Sequence, residues 1–184
     1  MRRLRFLLPA FAAAATAMIL PTPSVAAPGC AGAGLQPTQA NAVAVGNATL
    51  CLVNRQRARH GLPRLRQQRS LSHAANAYAR LMVRQGFFDH VSPAGSTITQ
   101  RIKRTNYLRG VRAWSIGENL AWGSGASATP AQIVSSWMRS AGHRRNILDA
   151  SFREAGIGVA QGAPNRAAGA TGATYVNEFG RRHR

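Results

Sequence analysis

The chain has 184 residues, with 24 basic side chains against 5 acidic ones, for a formal charge of +19. That length suits one domain with a short extension, and an apolar share of 45% with 7% aromatics excludes wholesale disorder. Every basic residue but Lys103 is an arginine, a skew that reads as coding bias and weakens the charge as evidence for a polyanion partner.

Arg2, Arg3 and Arg5 precede an apolar stretch from Phe6 to Leu20, and small residues follow to Ala27. This is the order of a secretory signal. Ser24-Val25-Ala26 supplies small residues at the cleavage positions, so residues 1–26 are expected to be removed. The apolar stretch, about 15 residues with Pro9 inside it, falls short of the roughly 20 that span a bilayer. No later stretch is longer, so no transmembrane segment is expected in the mature chain. Lipid attachment at Cys30 is disfavoured by Pro28. Cys30 and Cys51 are the two cysteines of the chain, and in an oxidising compartment such a pair is expected to be bridged. The bridge would pin the N-terminal strip to the first helix.

Residues 28–37 are rich in Gly, Ala and Pro and form a lead-in. A helix is predicted from a Thr38 cap, with a break near Gly46-Asn47, to about His60, where Gly61 and Pro63 stop it. A second helix is capped by Ser70, carries Leu71, Ala74, Ala75, Tyr78 and Met82 on one face, and ends at Gly86. A third runs from Ser96 through Ile98 and Ile102 to about Thr105. Residues 124–129 read as a loop. Thr129-Pro130 opens a helix with proline at its first position, with Ile133, Val134, Trp137, Met138 and Ala141 as its apolar stripe and Gly142 as its end. Residues 156–160 and 173–179 read as strands, joined by a Gly/Ala loop and paired antiparallel. Helices early and strands late indicate an α+β layer structure rather than alternating β-α units. The divisions expected are a signal peptide (1–26), a lead-in (27–47), the main domain (48–180) and a basic tail (181–184).

Three segments place rare polar residues among aromatics and glycines: Phe87 to Gly95, Gly117 to Gly123, and Ser136 to Leu148. Glu118 is notable as one of five acids, set in an apolar stretch, because charges are seldom buried unless paired. His90 and His143 are natural partners, able to exchange hydrogen bonds or bind metal near neutral pH. Asn119 and Asn146 read as turn-fixing residues, His73 as a solvated residue, and His60 as a partner of a helix C-terminus. Trp114, Trp122 and Trp137 read as core.

These segments, in this order, resemble the CAP superfamily of cysteine-rich secretory proteins, antigen 5 and pathogenesis-related proteins, and its secreted bacterial branch in particular. The resemblance runs from about Leu50 to Phe179 and includes Phe152 to Val159. It implies a three-layer α-β-α sandwich with a small, mainly antiparallel sheet. It also implies a cleft of two histidines and two glutamates, matched here by His90, Glu118 and His143. Ser140 stands where the second glutamate is usual, so that cluster is incomplete. Two arrangements follow: a metal site with His90 and His143 as ligands, of the three-ligand kind that suits zinc, or a metal-free cluster in which Glu118 fixes one imidazole tautomer. A Ser140–His143 hydrolase pair has no oxyanion hole or nucleophile elbow to support it.

The arginines group at residues 55–69, at 101–112 with Lys103, and at 181–184. Without a zinc finger, helix-turn-helix or aromatic-interleaved motif, no specific nucleic acid is expected. Anionic polymers of the cell envelope are the partners that the charge would hold, in a salt-sensitive way. The sequence therefore reads as a secreted, non-catalytic ligand-binding module for a small molecule or lipid. The alternatives are a metal-dependent hydrolase with Glu118 as general base, or a cationic envelope adhesin.

Overall fold

Residues 29–164 and 172–183 are described by the computed structural model; the expected secretory signal and cleavage point lie outside these residues. Helix α1 (Ala42–Arg59) starts at Asn41, not at Thr38. Those two residues close a turn before it, Thr38 N–H donating to Asn41 Oδ1 (2.7 Å) and Asn41 N–H to Thr38 Oγ1 (3.2 Å). The expected break at Gly46-Asn47 does not occur, because Gly46 is seated on Ile157, whose side chain would lie 3.7 Å from a Cβ there. Packing overrides the low helix propensity of glycine. The boundary expected at residue 48 thus falls inside α1.

After the two-residue strand β1 (Arg66–Gln67) comes α2 (Arg69–Gln85). Its cap is Gln68, whose side chain accepts from Leu71 N–H, rather than Ser70. Gly86 ends it as expected, with φ +71°, a conformation that favours glycine. Helix α3 (Ile98–Lys103) opens with a capping box between Thr97 and Gln100. Strand β2 (Ala113–Ser124) and a 3-10 turn (Gly125–Ala128) lead to α4 (Pro130–Arg139). Gly142 does not end α4; Ser140 does, and Gly142 lies in the first turn of a further helix, α5 (Ala141–Ile147). Strands β3 (Glu154–Gln161) and β4 (Gly172–His183) complete the chain.

The sheet has the order β1-β3-β4-β2, with β1 parallel to β3 and the other pairs antiparallel. The expected basic tail is strand: Arg181, Arg182 and His183 pair with Ser115, Trp114 and Ala113. Side chains alternate across the sheet. Ala155, Ile157 and Val159 of β3 and Tyr175 and Phe179 of β4 join Val45, Val53, Ile133 and Trp137 in one core, beneath α1, α4 and α5. The other face meets α2, through Leu120, Ala160 and Val176 against Ala75, Tyr78 and Met82. This is an α+β fold in three layers. Gly156 and Gly158 allow the tight seat of α2, since a Cβ at either would run into its backbone at Leu71–Ser72 or at Ala75–Asn76.

Two expectations about exposure fail. Trp137 is buried and its indole N–H donates to Leu120 O (3.0 Å), but Trp114 and Trp122 are each 38% exposed because they stand on an edge strand. Arg57, grouped with surface arginines, is fully buried. Its guanidinium donates to the carbonyls of Pro63, Ile147 and Asp149 at 2.8 Å and of Phe152 at 3.3 Å. Burial lowers its pKa from the usual arginine value. Cys30 and Cys51 are bridged, tying the lead-in to α1 as expected.

Candidate functional site

Strand β2 divides its polar residues between the two sides of the sheet. Glu118 points to the α2 side and Asn119, one residue on, to the α5 side. Neither was legible as a strand residue, because β2 is an edge strand with no clean alternation of burial.

His90 reaches Glu118 from the loop between α2 and α3. That loop is held by Tyr78, whose hydroxyl donates to Asp89 O (2.6 Å), and by Asp89 Oδ1, which accepts from Val91 N–H (2.9 Å). His90 Nδ1 lies 2.7 Å from Glu118 Oε1, so the proton sits on Nδ1 and the ring tautomer is fixed. The His90 side chain is 56% exposed, while that of Glu118 is 3% exposed. The hydrogen bond to Glu118 raises the His90 pKa above the usual histidine value, against the opposing effect of partial burial.

The other oxygen of Glu118 is also taken. Arg101 of α3 donates from Nη2 to Glu118 Oε2 (2.6 Å), and from Nη1 to the carbonyls of His90 (3.0 Å) and Ser96 (2.8 Å). Its guanidinium carbon sits 3.4 Å from the centre of the Tyr78 ring, a cation–π stack away from bulk water. Burial raises the Tyr78 phenol to about 12. Sequence reading grouped Arg101 with the basic residues of 101–112 and gave it no site role; the sign available was its place between Ile98 and Ile102 on a short helix.

Glu178 of β4 lies directly across from Glu118 in the sheet. It is fully buried, and among the described residues neither of its carboxyl oxygens has a hydrogen-bond partner. Burial, and next the negative charge of Glu118, hold its pKa well above the usual carboxylate range. Sequence reading placed Glu178 in a strand without a role, although an acid on the same face as Val176 is itself a signal.

On the other side, Asn119 Nδ2 donates to His143 O (2.9 Å), and Asn146 Nδ2 donates to Glu118 O (3.1 Å) and Asn119 Oδ1 (2.9 Å). The two asparagines fix no turn. They bolt α5 to β2 and so set where His143 stands. His143 is half-buried, and burial, followed by the charge of His90, lowers its pKa below the usual histidine value. Ser140 is half-buried at the α4–α5 junction, and among the described residues its hydroxyl has no hydrogen bond to His143. His73 is exposed, and His60 closes α1 with Nδ1 2.9 Å from Gln56 O.

The donor set fits a metal poorly. Both Glu118 oxygens are engaged, one by a guanidinium cation, and among the described residues no three His, Cys, Asp or Glu side chains gather to hold an ion.

The profile of CAP, the cysteine-rich secretory protein family, matches residues 50–177. The chain belongs to the CAP family. This CAP chain is 34% identical over 110 residues to an uncharacterized protein of Bacillus subtilis, YkwD, covering 60% of its own length and 40% of that protein. An uncharacterized membrane protein of the same organism, YlbC, is 29% identical over 112 residues, with 60% and 30% covered. The chain thus spans less than half the length of these curated relatives. Among solved structures, an extracellular protein containing an SCP domain from Bacillus anthracis superposes with TM-score 0.61 at 26% identity, covering 78% of this chain and 43% of that one. An outer surface protein of Borrelia burgdorferi gives TM-score 0.59 at 20% identity, with 73% and 90% covered, and shares the fold. No described helix is long and apolar enough to cross a membrane.

Proposed function

We propose that this CAP domain works outside the cell and holds a small-molecule or lipid ligand at the His90–Glu118–His143 cleft, with Ser140 at its rim, without turning the ligand over. The observation that carries the reading is the double engagement of Glu118. A general base needs a free carboxylate oxygen within reach of the proton it takes; here His90 holds one oxygen and Arg101 the other. The extracellular setting is supported by the leader-like residues 1–26, by the Cys30–Cys51 bridge, and by the likeness to a protein described as extracellular.

The test is Zn²⁺ titration by calorimetry, wild type beside His90→Ala/His143→Ala, with recovery of bound ligand from envelope extracts by mass spectrometry. The expected result is no saturable zinc uptake at micromolar concentration and a retained, unaltered ligand. Binding of one equivalent of zinc, lost in the double variant, would overturn it in favour of a metal-dependent hydrolase with His90 and His143 as ligands.

A second reading, retention on anionic envelope polymers, rests on the sheet edge. There Arg66, Arg153, Arg181 and Arg182 line an open basin around Glu154. Arg182 is committed to Glu154 (2.7 Å), Arg66 stands 3.9 Å from the same carboxylate, and Arg153 donates to the carbonyls of Ala150 and Phe152, which leaves Arg181 and the outward side of Arg66 for an anionic chain. Wall binding that falls steeply with added salt and survives His90→Ala would favour it.

A further inference from the structure

Beneath the cleft, the donors around Glu178 are all spent elsewhere. Its position across from Glu118 in the β2–β4 register puts both side chains on one face of the sheet. Glu118 of β2, Arg101 of α3 and Tyr78 of α2 are the ionisable groups that face it, and β3 opposes it with Gly156. Tyr78 gives its hydroxyl to Asp89 O, and Arg101 gives its terminal nitrogens to Glu118 Oε2, His90 O and Ser96 O. The Arg101 Nε–H reaches no acceptor at all. Glu118 receives His90 Nδ1–H at one oxygen and a guanidinium at the other, which marks it as the anion of the pair. An ionised Glu178, buried without a donor beside that anion, would suffer desolvation and repulsion together. A neutral acid escapes both, but its O–H then needs an acceptor. The Glu118 carboxylate is within hydrogen-bond reach of it, and with about four lone-pair sites a carboxylate has room for a third donor.

We infer that Glu178 is a positioning residue of the cleft: it keeps its proton and donates that O–H to Glu118, which thereby accepts from His90, Arg101 and Glu178 at once. The donor count carries the assignment, since the O–H of Glu178 itself is the one donor that pairs this carboxyl. Burial, and next the charge of Glu118, raise the Glu178 pKa against the pull of Arg101, in keeping with a retained proton. The effect on the cleft passes through Glu118. A third donor makes that carboxylate a weaker base, so the proton it shares with His90 stays on Nδ1. The exposed ring then presents Nε2, unprotonated while the imidazole is neutral, to whatever enters. Glu178 touches no ligand and acts from the opposite strand. The inference rests on the proposed cleft only for what this positioning serves.

The test has two NMR readouts on the disulfide-bonded protein, neither of which needs a ligand, so its outcome is separate from that of the binding reading. The first uses carboxyl-labelled glutamate, which reports on Glu118, Glu154 and Glu178 alone. At about pH 6, above the ordinary glutamate range, one carboxyl signal should still have the shift of a protonated acid, and it should vanish in Glu178→Gln. The second is the His90 titration in wild type, Glu178→Gln and Glu178→Met, with folding checked by circular dichroism. Glutamine keeps a neutral donor in the place of the O–H, so the His90 pKa should stay within about 0.2 of wild type. Methionine fills the space without a donor, so Glu118 should hold the imidazolium more tightly and raise that pKa by about 0.5 or more. A side chain that only filled the core would make the two variants alike. Three ionised glutamates at pH 6, or equal His90 titrations in the glutamine and methionine variants, would each overturn the assignment. The wild-type carboxyl signal decides the matter even where the methionine variant does not fold.

Discussion

Replacing Glu178 with glutamine isolates the energetics of one buried carboxyl. Glutamine matches the protonated acid in shape and charge, so Glu118, His90 and Arg101 see the same neighbour. Glu178 is fully buried beside Glu118, and its folded pKa is raised well above the unfolded value by burial and by that charge. Because the folded state binds a proton that the unfolded state has released, folding stability from this group is whole below a pH of about 4.3 and is lost as pH rises toward the folded pKa. The slope for one proton is about 1.4 kcal/mol per pH unit. Wild type and Glu178→Gln should therefore differ by a constant amount near pH 4. By pH 6 the variant should have gained about 2 kcal/mol relative to that baseline, equivalent to roughly 6 °C in Tm for a domain of this size. Urea unfolding of both proteins at half-unit steps from pH 4 to 7 measures this. Curves that stay parallel across the range would show that Glu178 folds ionised, and the account of its burial would be wrong.

Arg57→Leu should lose about 4 kcal/mol or more in urea unfolding, because four carbonyls lose a buried cationic donor. NMR titration should place the His90 pKa above the ordinary histidine value and that of His143 below it; in Glu118→Gln, His90 should fall back toward that value. By sign, stability from the raised His90 pKa is present below about 6.5 and disappears as pH rises through the folded value. Reduction of Cys30–Cys51, which closes a span of 21 residues, should cost about 3 kcal/mol, read as a lower urea midpoint with reductant. Gly156→Ala should cost more than 3 kcal/mol, since the methyl meets the α2 backbone. Gly34→Ala, where nothing lies within 4 Å, should change the melting temperature little.

What could be read in advance followed the physics of each element. Helix α2 was legible because its buried residues recur at helical spacing and Gly86 ends it. The pairing of β3 with β4 was legible from two apolar runs and the loop between them. Strand β2 was missed because an edge strand that carries Glu118 and Asn119 at its buried centre and Trp114 and Trp122 near its ends has no period-two signature. His90, Glu118 and His143 were found through the family's motifs and their polarity among apolar neighbours. Arg101 and Glu178 were not, because their roles arise from partners far along the chain: Glu118 is 17 residues from Arg101, and it meets Glu178 only through strand register. Arg57 was misread because no local pattern separates an arginine that binds four carbonyls from one in water.

The seat of α2 on Gly156 and Gly158 makes the sheet and that helix one rigid body, with no room for the helix to slide or tilt inward. Tyr78 is part of that body, so its hydroxyl is a fixed anchor for the loop beside it. The segment from Gly86 to Ser96 packs beside it, turns on glycines of positive φ at Gly86 and Gly95, and is held at its middle by the bonds from Tyr78 to Asp89 O and from Arg101 to His90 O. Those two bonds hold the backbone on either side of the ring that meets Glu118. The pose of the histidine is therefore inherited from two helices to which it does not belong.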